Sequence, residues 1–290
     1  MSDTFAPLKL PFWRTVIDAH VVAFVNVRKF LSFAWPWAIL LVTAAAALNW
    51  AMWPLEQAAT ESGQLFGSLW YFFLPLAAST LIGALVAVPW HRFVLMREAQ
   101  TAASPLKQTA AAMKYFGVAC LMFSPLLLPM AAIQIAAPSL GLPAQSEIAS
   151  QPSEADAAQS SKELANFAAS SVAFLLGPCA ALLYVPTRLY LLLPAIALHE
   201  RQHSLRQLWN KTRGNFWRLY LGSGLVFALP FVAIVLQTTL QNDDLTRATN
   251  TLSQVTAELI LFTGGIIGVT FLSLAYQHFF PHGPDTKIAE

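Results

Sequence analysis

Six uncharged apolar stretches, each long enough to cross the ~30 Å hydrocarbon layer of a bilayer, constrain this chain more than any other feature. They run over Phe33–Trp53, Ser68–Trp90, Tyr115–Ala137, Leu164–Thr187, Leu219–Leu240 and Leu259–Gln277. Backbone groups in lipid must bond within their own segment, so each stretch is expected to be a helix. The apolar runs are too continuous for the alternating strands of an outer-membrane barrel. Only 11% of the 290 residues are charged, against about 25% in a soluble domain. So few charges cannot clothe a water-exposed surface.

The cations set the orientation. Lys9, Arg14, Arg28 and Lys29 precede span one. Arg92, Arg97, Lys107 and Lys114 lie between spans two and three. Arg188, Arg201, Arg206, Lys211, Arg213 and Arg218 lie between spans four and five, and Lys287 follows span six. The other three loops hold only Lys162 and Arg247 and carry most of the acids. Lys/Arg-rich loops stay in the cytoplasm, so both termini are expected there. An odd number of spans would break this alternation. Trp35, Trp37, Trp90, Tyr115 and Trp217 at one boundary, and Trp50, Trp53, Trp70 and Tyr71 at the other, form the expected aromatic belts. The N-terminus lacks the basic, apolar and small-residue order of a signal peptide. Cys120 and Cys179 both fall in apolar stretches and read as small fillers.

The expected fold is all-α: one integral membrane domain over residues 1–290, a polytopic bundle of six transmembrane helices in three hairpins with interfacial amphipathic helices. Residues 1–32 form a cytoplasmic interfacial segment, 138–163 the external loop and 278–290 a cytoplasmic tail. The Ala-, Ser-, Gln- and Pro-rich loop cannot build a core, although a short helix near Ser153–Ser161 is expected in it. Spans two, four and six end alike, at Val88-Pro89-Trp90-His91-Arg92, Val185-Pro186-Thr187-Arg188 and Tyr276-Gln277-His278. Each odd span follows a mixed segment: Leu10–Phe30, Ser104–Lys114 and Ser204–Arg213. Ser104-Pro105 is a favourable helix start, and Ser204-Leu205-Arg206-Gln207 fits a capping box. The pattern suggests three units, each a surface helix plus a transmembrane hairpin. Leu164–Leu198 as one helix would extend about 52 Å, so a bend is expected near Pro186 or Pro194. Arg188 is then expected to snorkel to phosphates.

Arg188-Leu189-Tyr190-Leu191-Leu192-Leu193-Pro194-Ala195-Ile196-Ala197-Leu198 and Thr212-Arg213-Gly214-Asn215-Phe216-Trp217-Arg218-Leu219 resemble the six-helix membrane module attached to some bacterial glycerophosphodiester phosphodiesterases. They are also similar to YciC-type inner-membrane proteins. The specific likeness covers about forty residues. No phosphodiesterase domain is expected in these 290 residues, so catalysis does not carry over and the resemblance implies a membrane module.

His199-Glu200-Arg201-Gln202-His203 matches H-E-x-x-H. On a helix, His199 and His203 stand one turn apart and can bind zinc, with Glu200 as general base. The third ligand is missing from the motif, and a cap at Ser204 would end the helix directly after His203. His91, Glu98, His278 and His282 are the other candidate ligands on that side. His278 and His282 flank Pro281 and read as a solvated tail. No Asp, Glu, Lys or Arg lies mid-span, with Glu258 at the outer edge of span six. This demotes ion-coupled carriers. Asn49, Ser79, Thr80, Ser124, Gln134, Thr263 and Thr270 are expected to bond between helices. Ser79, Gly83 and Ala87, and likewise Gly264 and Gly268, form small-residue faces for close packing. Pro75, Pro125, Pro129, Pro178 and Pro230 interrupt four spans and keep a small-solute or lipid carrier open as an alternative.

The leading expectation is a non-enzymatic inner-membrane module acting through lipid or protein partners, without cofactor and without nucleic acid. Its basic cytoplasmic rim would bind anionic headgroups. Arg92 and Arg188, at matching hairpin ends, are the candidates for a specific lipid-headgroup or structural contact. A zinc metallopeptidase built on His199, Glu200 and His203 is the other alternative.

Overall fold

The computed structural model describes residues 8–62, 65–96, 105–136, 180–198, 204–239 and 247–281. The described residues form ten helices and no strand. In chain order they are α1 Phe12–Val25, α2 Val27–Ser62, α3 Leu65–Met96, α4 Pro105–Ala136, α5 Ala180–Leu182, α6 Tyr184–Leu189, α7 Leu192–Ala197, α8 Leu205–Lys211, α9 Phe216–Thr239 and α10 Arg247–Phe279. The chain divides into two compact units, residues 1–120 with 187–290, and residues 121–186. Most of the expected fourth span, the external loop with its expected short helix, and the tail beyond residue 281 lie outside the described residues.

Among the described residues, three segments are long and apolar enough to cross a membrane: Val27–Ala51, Leu76–Met96 and Thr251–Phe279. They overlap the first, second and sixth expected spans. Helix α9, from Phe216 to Thr239, covers residues 219–239 of the fifth. The helices overrun the expected boundaries. Ser104–Lys114 is not a separate surface helix: α4 runs unbroken from Pro105 to Ala136. Polar side chains at Lys107 and Lys114 leave the backbone ladder intact, and only Gly or Pro would weaken it strongly. In contrast, Asn26 alone separates α1 from α2. The third mixed segment forms as expected. Ser204 Oγ accepts the Gln207 backbone N–H, and Gln207 Oε1 accepts the Ser204 N–H, capping α8. Gly214, at φ +77°, then turns the chain into α9, a conformation that costs other residues about 1–2 kcal/mol.

Helix α10 is the centre of the larger unit and packs against α1, α2, α3, α7 and α9. Its contacts fix helix direction. Asn49 pairs with Thr251 and Phe30 with Phe262, so α2 runs antiparallel to α10. Ser79 pairs with Glu258 and His91 with Ser273, so α3 runs parallel to it. Phe271 lies against Gly222, Phe227 against Gly268 and Pro230 against Gly264, so α9 is antiparallel. Gly264 and Gly268 therefore serve close packing as expected, whereas Gly83 has open space beside it. Asn49, Ser79 and Thr270 do bond between helices. Thr80, Ser124 and Thr263 instead return their hydroxyl protons to carbonyls of their own helices, a common local alternative.

A methyl group at Gly264 would strike the buried Pro230 ring, whereas one at Gly265 meets nothing. Gly264→Ala is expected to destabilise by about 1–3 kcal/mol. Gly265→Ala is expected to be neutral or to gain up to ~1 kcal/mol of helix propensity. Thermal unfolding in detergent micelles compares the two; equal midpoints would refute the α9–α10 contact.

Candidate functional site

Arg188 does not snorkel outward. It is 4% exposed. Its guanidinium lies over the Trp209 ring, 3.7 Å from the centroid, and donates to the Trp209 carbonyl and, at 3.4 Å, to the Thr212 hydroxyl. Trp209 is 21 residues away on α8, a contact that hairpin-end reasoning does not reveal. Stacking and carbonyl donation offset the cost of burying the cation. Beside it the Thr187 hydroxyl is buried with no partner among the described residues. Arg92 is half-buried on α3. His199, Glu200 and His203 lie outside the described residues. Among the described residues, no three His, Cys, Asp or Glu side chains gather as a metal site.

His91, a candidate third zinc ligand in the sequence, is fully buried and occupied at both nitrogens. Ser273 spends its proton on the Val269 carbonyl, 2.9 Å away, so it accepts from His91 Nδ1 at 2.7 Å. Nε2 is then the acceptor for the Tyr115 hydroxyl at 3.2 Å. One residue earlier, Trp90 Nε1 donates to Thr270 Oγ1 at 2.7 Å, and Thr270 donates to the Ile266 carbonyl. These two neighbours on α3 staple it to α10. The end of span two thus supplies interior hydrogen bonds, and the end of span four supplies a buried cation. His278, at the end of span six, reaches the Lys9 carbonyl at 3.2 Å. The three similar sequences have three different surroundings.

The arm before α1 is held by side chains from far along the chain. Asn215, fully buried ahead of α9, donates from Nδ2 to the Leu8 carbonyl at 2.8 Å and accepts the Leu10 amide at 2.9 Å. Arg218 Nη1 donates to the Leu10 carbonyl at 2.7 Å. Leu10 itself is fully buried among Leu198, Leu208, Leu219, Tyr276 and Phe279. Between the arm and α9 runs a groove of about 420 Å³, lined by Leu10, Pro11, Phe12, Trp13, Trp217, Arg218 and Leu221. It is apolar apart from Arg218, and both tryptophans are more than half exposed.

Helix α1 has three faces. Thr15, Val16, Ala19 and Ala23 are buried, and the helix packs against α9 and α10. Trp13, Ile17, Val21 and Phe24 point outward. Arg14 and Asp18 pair at 3.6 Å on the flank. Such a helix suits a boundary, with small residues towards the bundle, large apolar residues towards lipid and one ion pair towards water. The sequence marks the mixed character of Leu10–Phe30. It gives no sign that Asn215 and Arg218 would grip the arm, because those bonds span more than 200 residues.

The chain matches no protein family, no curated protein and no solved structure in the three comparisons.

Two substitutions separate the roles of neighbouring buried groups. Arg188→Lys cannot reproduce the planar stack with its directed bonds and is expected to cost about 2 kcal/mol. Thr187→Val removes an unpaired hydroxyl at constant shape and is expected to be neutral or stabilising. Denaturation midpoints in micelles would contradict this account if Thr187→Val lost stability and Arg188→Lys did not.

Proposed function

We propose that this chain is a six-span module of a bacterial inner membrane, with both termini in the cytoplasm, working through lipid or protein partners and without catalysing a reaction. The observation that carries the reading is the direction of the helices about α10. Helices α2 and α9 run against α10 and α3 runs with it, the order expected for spans one, five, two and six of a chain threaded back and forth. The cation-rich loops then share one side, where the arm clasp, the Arg188 stack and the exposed apolar face of α1 also lie. A polar clasp bordered by tryptophans fits the headgroup layer, and its cations suit anionic lipids. The resemblance of Arg188–Leu198 and Thr212–Leu219 to membrane modules of phosphodiesterases and to YciC-type proteins belongs to the same reading.

The carrier alternative draws no specific support from the described helices. Asn49, Ser79, Trp90 and His91 are spent on staples to α10, and Thr80, Ser124 and Thr263 on carbonyls of their own helices. The zinc-peptidase alternative rests on the H-E-x-x-H string alone.

Reporter fusions within 138–163 and after residue 290 test the topology. The account expects an external signal from the loop and a cytoplasmic one from the C-terminus; the same compartment for both would overturn it. Elemental analysis of purified protein is expected to find no stoichiometric zinc. One zinc per chain, lost in His199→Ala, would replace the module with a metallopeptidase.

A further inference from the structure

We infer that the groove between the N-terminal arm and α9 is a binding site for one anionic phospholipid, with an acyl chain in the groove and the phosphate at Arg218. This rests on the membrane reading above and adds a defined site to it. Trp13, Trp217 and Leu221 give the groove an apolar lining that is exposed rather than covered by protein. A hydrocarbon chain suits that lining, and the volume lies in the usual range for a ligand site, roughly 300–1,000 Å³.

The polar end is preorganised. Arg218 is fixed by donating Nη1 to the Leu10 carbonyl. Asn215, through Leu8 and Leu10, fixes the arm that offers this carbonyl. Arginine has five donors in a fixed fork, so a held guanidinium keeps others for a phosphate, its preferred bidentate partner. The local charge agrees: exposed Lys9 adjoins the lining residue Leu10, exposed Arg213 lies five residues before Arg218, and Asp18, the only acid on α1, is paired with Arg14, so that pair adds no net charge. Neither α1 nor α9 has an acidic residue in its first turn to compete for the site. A zwitterionic lipid would offer the same hydrocarbon but a weaker net attraction. The occupant favoured is therefore a phosphatidylglycerol-like lipid.

Native mass spectrometry of the full-length protein, titrated with phosphatidylglycerol or phosphatidylcholine, tests this. The intact protein is expected to retain one phosphatidylglycerol in preference to phosphatidylcholine. Arg218→Gln is expected to weaken phosphatidylglycerol by roughly tenfold to a hundredfold and to leave phosphatidylcholine little changed. Because that variant also loosens the arm, Leu221→Trp provides an independent check. It fills the groove while leaving the Asn215 and Arg218 bonds to Leu8 and Leu10 in place, and is expected to abolish the retained lipid. Leu225→Trp, one turn further along α9 and outside the groove lining, is expected to keep it. Equal binding of the two lipids, or unchanged phosphatidylglycerol binding in both Arg218→Gln and Leu221→Trp, would overturn the site. Displacement of the lipid by millimolar inorganic phosphate would reassign it to a free anion. A failed topology test would remove the membrane reading itself, whereas these outcomes with correct topology would remove only the lipid site.

Discussion

The two opposite faces of α10 organise everything else. At 100° per residue, Gly264, Gly268 and Phe271 fall on one side, and Thr251, Glu258, Phe262, Thr270 and Ser273 on the other. The first side lacks bulk at Gly264 and Gly268, where Pro230 and Phe227 of α9 fill the space, and its own Phe271 fills the space at Gly222 of α9. The second side offers hydroxyls and one carboxylate, and each meets a donor or acceptor from α2 or α3. In lipid there is no hydrophobic force between helices, so close packing and such bonds must hold them. Each bond contributes on average about 0.6 kcal/mol, with a maximum of ~1.7. The four together supply a few kcal/mol and, more importantly, fix the register of the helices.

The same economy of polar groups shapes the end where the arm, α7, α8 and the ends of α9 and α10 converge. Leu10, Leu191, Leu208, Leu219, Tyr276 and Phe279 pack there. Asn215 satisfies the arm's backbone, which has no helix or sheet to satisfy it. Arg188 is enclosed by Trp209 and Thr212. The clasp holds the start of α1, whose large apolar side chains Trp13, Ile17, Val21 and Phe24 face outward.

Helical content was legible because apolar length in lipid permits little else. The capping box at Ser204 was also legible, since its two bonds are local. Boundaries were less so: nothing in Ser104–Lys114 breaks a helix, so α4 absorbed it. The environments of the candidate residues were hidden. Arg188 reads as a rim cation from its neighbours, and only Trp209, a turn and a helix away, reveals it as interior. Arg92 kept no distinctive signal beside His91, whose two bonds involve residues 24 and 182 positions distant. Asn215 and Arg218 stand in the Thr212–Leu219 string, but nothing in it announced their grip on the arm, because they hold backbone atoms rather than a recognisable partner residue.

Pairwise disulfide trapping in native membranes tests the central role of α10 most directly. In a chain with Cys120 and Cys179 replaced by Ala, the pair Ser79→Cys with Glu258→Cys probes its hydroxyl face. The pair Phe227→Cys with Gly268→Cys probes its glycine face. The account predicts that both pairs cross-link within one chain and resist labelling by a membrane-impermeant thiol reagent. Free labelling of these positions from water, or cross-linking of neither pair, would contradict a lipid-embedded α10 held between α3 and α9.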